Sequence, residues 1–80
     1  MNDKTQKLIE LDKQYLWHPF TQMADWLDSE SVVIDSGDGF YLRDTEGRRY
    51  IDGVSSLWCS VHGHRVKKID DAIRVQLDKI

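Results

Sequence analysis

The chain has a single cysteine and a single proline. One thiol cannot close an internal disulfide, which excludes a disulfide-stapled secreted scaffold and points to a reducing, cytoplasmic compartment. No apolar run approaches the roughly 20 residues that span a bilayer. The opening Met1-Asn2-Asp3-Lys4 starts no signal-peptide pattern, so no membrane is expected as a partner. Positive charge is not in excess either. The formal charge is −3, and the basic residues are dispersed apart from Arg48-Arg49 and Lys67-Lys68, which argues against a nucleic-acid partner.

Bulk for a core is also in short supply. A chain of this length makes one domain at most and buries only about 60–65% of its unfolded surface. Yet it carries three Trp, three Tyr and two Phe. Some of these rings are expected to rest against something else: another domain, another subunit or a ligand.

What is present reads as α+β. Leu8, Leu11 and Tyr15, widened by Ile9 and Leu16, predict a helix from about Lys4 to Leu16, with Asp3 as its cap. Pro19 forces an extended exit. Residues 20–30 fit one helical turn or a loop pinned by its rings. Residues 31–52 predict a three-stranded antiparallel meander. Its first strand, Ser31 to Ser36, carries the β-branched run Val32-Val33-Ile34. Gly37-Asp38-Gly39 is the expected turn. Phe40 to Asp44 follows, with Phe40 and Leu42 on one face and Tyr41 and Arg43 on the other. Asp44-Thr45-Glu46-Gly47 makes the second turn, with Gly47 in a left-handed position, and Arg48 to Asp52 is the third strand. Gly53 to Gly63 reads as an irregular aromatic loop. Val66 to Ile80 predicts a helix with Ile69, Ala72, Ile73, Leu77 and Ile80 on its apolar side. No Gly or Pro follows as a stop, so residues 1–80 are expected to be one N-terminal segment, part of a small domain, of something longer.

Several motifs have a bland reading that wins. Gly37-x-Gly39 lacks the helix and Lys-Ser/Thr pair of a phosphate loop. Cys59 with His62-Gly63-His64 lacks the second half of a zinc set, so no metal is expected. These residues instead suit a tight turn, with His64 or Arg65 helping to start the last helix. Asp44 is placed to brace its turn, and Ser55 and Ser56 to bond backbone. Trp58 is the residue with most to offer chemically, since indole presents a flat apolar face plus an N–H. Trp17 and Phe20, stiffened by Pro19, offer the same more weakly.

Three stretches together resemble the class III pyridoxal-phosphate-dependent aminotransferases. They are Trp17-His18-Pro19-Phe20-Thr21-Gln22-Met23, the meander Gly39 to Gly53 with its Gly47-Arg48-Arg49-Tyr50-Ile51-Asp52-Gly53, and Ser55-Ser56-Leu57-Trp58 followed by Val61-His62-Gly63-His64. The first and third resemble the biotin-biosynthetic subgroup in particular. The resemblance implies a fold-type-I transferase acting as a homodimer on a small-molecule keto substrate, with S-adenosylmethionine or lysine as amino donor. It implies that Phe20, Leu57 and Trp58 bind substrate. Members often carry Tyr at the Phe20 position and Trp-Trp at Leu57-Trp58, so here a phenol is lost and space is opened. The resemblance also implies that pyridoxal 5′-phosphate, its Schiff-base lysine and its phosphate cradle are held by the rest of the aminotransferase chain. These 80 residues are then expected to have no catalytic residue of their own. Other readings are another class III ω-aminotransferase, or a free-standing module whose rings bind a partner.

Overall fold

Asn2 begins the fold described by the computed structural model, which covers residues 1–80. Its side-chain oxygen accepts from the Thr5 amide and starts helix α1, Asp3–Tyr15. The expected cap, Asp3, lies instead in the first turn, where the helix dipole favours negative charge. Asn2 takes the cap because its amide also donates to the Thr45 carbonyl while its backbone N–H donates to Glu46. A carboxylate could not cap and donate at once. Helix α1 stops at Tyr15, and Leu16 is already extended at φ −105°, ψ 137°. The ambiguous stretch that follows is helical: α2, Met23–Asp28, starts at Gln22.

The meander forms as β1, Ile34–Asp38, β2, Tyr41–Asp44, and β3, Arg49–Ile51, antiparallel in the order β1-β2-β3. Its first turn is displaced from the expected place. Gly37 and Asp38 are paired with Leu42 and Tyr41, so the loop is Gly39-Phe40 and Phe40 leaves the strand. The reason is twist. Gly39, at φ +59°, supplies the first position of a type II′ turn, which matches the right-handed twist of flanking strands. Strand β1 accordingly begins at Ile34, not Ser31. Asp35 bulges out of register between Ile34 and Ser36, and its carboxylate meets Lys4 of α1 at 2.9 Å.

The second turn forms as expected, with Gly47 at φ +84°. Asp44 holds it. One carboxylate oxygen accepts from the Glu46 and Arg48 amides at 3.0 and 2.8 Å. The other accepts from Arg48 Nε at 2.7 Å and the Tyr50 hydroxyl at 2.9 Å. Enclosure pushes this carboxyl up, but the bonds from Arg48, Tyr50 and Glu46 outweigh it and hold the group at about 2.

After β3 the chain closes one turn, α3, Ser55–Trp58, and ends in α4, Lys67–Leu77. No helix is long and apolar enough to cross a membrane. No apolar side chain is buried; the two buried residues are Thr5 and Asp44. The accessible surface is 6978 Å², against about 5000 Å² for a compact chain of this mass. The radius of gyration is 15.4 Å, against about 12 Å. Polar contacts, not an apolar core, therefore join α1 to the meander, through Asn2, Lys4 and Thr5. Leu8 and Leu11 on α1 and Ile69 and Ile73 on α4 stay exposed.

Because the folded Asp44 carboxyl sits below its ordinary value, its stabilisation is complete above about pH 4 and is lost as pH falls through the folded midpoint. Carboxyl-carbon NMR should place that midpoint at about 2. Asp44→Asn should flatten the acid loss of stability between about pH 4 and 2 while lowering the melting temperature at pH 7.

Candidate functional site

The first aromatic segment is organised by Asp12 of α1. Its carboxylate accepts from His18 Nε2 at 2.7 Å and from Trp26 Nε1 at 2.8 Å. The two rings pack against each other at 4.3 Å, tilted by 47°. This turns His18 inward and leaves Trp17 and Phe20 exposed on either side of Pro19. Phe20 adopts φ +52°, uncommon for a residue with a side chain, and Thr21 Oγ donates to the Pro19 carbonyl at 2.8 Å. The stretch that reads as one aromatic wall is thus split into ring pairs that hold the structure and rings that are presented.

The second segment is more ordered than its sequence suggests. Ser55, Ser56, Leu57 and Trp58 have φ of +53°, +49°, +61° and +69°. The Trp58 and Cys59 amides donate to the Val54 and Ser55 carbonyls at 2.9 and 2.8 Å. This is one turn of left-handed helix built without glycine, a conformation costing roughly 1–2 kcal/mol per residue. Local preference does not produce it.

Asp52, at the end of β3, supplies what local preference lacks. Its Oδ1 accepts from the Ser56 amide at 2.8 Å. Its Oδ2 accepts from Ser56 Oγ at 2.8 Å and from His64 Nε2 at 2.7 Å. The Asp52 side chain is 4% exposed. The Ser56 amide first, and then His64, hold its carboxyl below the ordinary value against the opposing effect of burial. His64 is locked in turn to the first hairpin, exchanging backbone bonds with Gly39 at 2.6 and 2.9 Å. Of the two residues expected to help start α4, His64 or Arg65, it is the second that does so. Val66 precedes that helix with no side-chain cap, and it is Arg65 that reaches the first turn, pairing with Asp70 at 2.6 Å.

The outcome is that Leu57 and Trp58 face outward, 65% and 84% exposed. A cleft of about 350 Å³ at the base of the loop is lined by Gly39, Phe40, Asp52, Ser55 and Ser60 to Gly63. Phe20, Leu57 and Trp58 do not line it, nor any of the four other main clefts, so the three are not gathered into one pocket by these residues. Sequence reasoning missed Asp12 and the Asp52–His64 pair. Asp52-Gly53 directly after a strand was a usable signal for the second. Asp12 looks like any solvated helix carboxylate.

The model of the family described as aminotransferase class-III matches residues 22–80. An adenosylmethionine-8-amino-7-oxononanoate aminotransferase of Nitratidesulfovibrio vulgaris is 58% identical over 77 residues, 96% of this chain and 14% of that protein. The solved enzyme of that name from Methanocaldococcus jannaschii superposes with a TM-score of 0.90 at 47% identity, over 98% of this chain and 18% of that one. A thermostable (S)-enantioselective omega-transaminase of Thermomicrobium roseum gives 0.87 at 29% identity, over 94% and 17%. The chain spans only 14–17% of the length of the curated relatives just described and their like.

The hairpin–loop clamp makes a graded prediction. A Cβ on Gly63 would sit 3.0 Å from the Gly39 carbonyl oxygen, and its φ is +90°. Gly39 is also left-handed but has open space around its Cβ position. Gly39→Ala should destabilise by about 1–2 kcal/mol of backbone strain. Gly63→Ala should cost more, and thermal melts of the two variants should rank them so.

Proposed function

This chain belongs to the class-III aminotransferase family, and from that premise we propose that it is the N-terminal substrate-wall segment, part of the small domain, of a biotin-biosynthetic transaminase. The parent enzyme converts 8-amino-7-oxononanoate to 7,8-diaminononanoate with S-adenosylmethionine or lysine as donor. It works as a homodimer in the cytoplasm, where the exposed Cys59 stays a free thiol. The observation that carries this reading is the outward presentation of Leu57 and Trp58 on a left-handed turn. The 58% identity to an enzyme of that name supports the substrate.

The family implies pyridoxal 5′-phosphate, which supplies the electron sink for amino transfer. The residues of this chain do not fit it by themselves. No lysine lines any of the five main clefts. Lys4 and Lys67 are paired with Asp35 and Asp71, and Lys13 donates to the Ser29 carbonyl. The cofactor is therefore anchored by other residues of the parent. The rings here act on the substrate. Trp58 and Leu57 lay apolar surface along its chain, and Phe20, presented separately beside Pro19, adds a further ring once the rest of the parent completes the pocket, so that water is excluded and orientation restricted.

In the intact enzyme, Trp58→Ala should raise KM for the keto substrate roughly ten- to hundredfold, the loss of about 1.5–3 kcal/mol of aromatic burial. Cofactor absorbance should be unchanged. Loss of cofactor with unaltered substrate kinetics would overturn the role. A panel of acceptors and donors tests the substrate, and turnover of ω-amino acids or diamines with none of the keto acid would sink it.

A further inference from the structure

We infer that Asp52 and His64 are positioning residues for the substrate wall, holding through Ser56 the left-handed turn that presents Leu57 and Trp58. The inference rests on the reading of those two residues as substrate-binding. Four successive left-handed residues without a glycine persist only where their surroundings over-determine them. Here the compensation is concentrated at one point. The turn's backbone bonds run from the Ser55, Trp58, Cys59 and Ser60 amides, and none begins at Ser56. The Ser56 amide and hydroxyl both go to Asp52, which serves the turn as a cap.

The Asp52 side chain is 4% exposed and its bonds go to Ser56 and His64, so it acts on the wall through Ser56. Its far side is closed by His64. The imidazole is seated tightly in turn, since a Cβ on Gly37 of β1 would come within 2.9 Å of its Cγ. Rigidity therefore passes from the first hairpin through His64 and Asp52 to Ser56, and from there to the presented side chains. Neither residue supplies a proton or a substrate contact.

The test uses the full-length holoenzyme and reads kinetics and amide exchange together. Asp52→Ala should speed hydrogen exchange at the Ser56 to Cys59 amides about tenfold or more. It should raise KM for the keto substrate by about the factor seen for Trp58→Ala, with cofactor absorbance intact. Glycine adopts positive φ at no steric cost, so adding Ser56→Gly should restore KM to within about threefold. Asp52→Ala combined with Trp58→Ala should be no worse than Trp58→Ala alone.

Unchanged exchange, failure of the glycine rescue, or multiplicative losses in the double variant would each overturn the inference. If exchange accelerates while KM does not move, the inference also falls. Trp58→Ala measured alongside then shows whether the wall reading falls with it. Should Asp52→Ala not fold, Asp52→Asn carries the same test. It keeps an acceptor for the Ser56 amide, so its smaller KM increase must again be cancelled by Ser56→Gly.

Discussion

Four hydrogen bonds converging on one enclosed carboxylate, that of Asp44, hold the turn from which the rest of this chain is hung. The turn carries Thr45 and Glu46, which receive Asn2 and Thr5 and so fix the start of α1. Further along α1, Asp12 gathers His18 and Trp26 and sets the first aromatic segment. At the other end of the meander, Asp52 and His64 set the second. Three aspartates thus do the organising that an apolar core does elsewhere. Enclosing a carboxylate is costly unless its lone pairs are met, and each of the three is met by at least two donors. The same bonds confer direction, which nonspecific apolar contact does not.

That arrangement explains how a chain with no buried apolar side chain can still hold strained backbone. The meander is a small rigid frame, and the end that carries the Gly39-Phe40 hairpin and Asp52 is where the non-glycine positive-φ residues of the second loop are tied down. Scaffold and presented loop are separate in the way binding loops generally are. The surplus of accessible surface has the same origin. Leu8, Leu11, Ile69 and Ile73 form faces that this chain does not cover, and the rings beside Pro19 and after Gly53 stand clear of it.

Legibility followed the range of the forces. Helical periodicity gave α1 and α4 to within a few residues, and the β-branched run with its glycines gave the meander. Gly47 and Asp44 were readable because a turn's demands lie within four residues of each other. The first hairpin was misplaced by one step because two glycines competed for it. The choice was made by strand twist, which a pattern of residue types does not contain. Asp3 lost the cap to Asn2 because the capping residue also had to donate to a turn more than 40 residues away.

The sequence by itself determined the class of elements, their order and the family, since periodicity, turn chemistry and motif wording are local properties. It also marked Trp58, and more weakly Trp17 and Phe20, as rings with chemistry to offer, with Leu57 added only by the family resemblance. Only the tertiary structure decided how they are displayed. The left-handed turn runs against the preference of every residue in it, and its supports are a carboxylate at the end of a strand and an imidazole 12 positions beyond that carboxylate. Such a conformation is absent from local propensity because it exists only once distant groups have met.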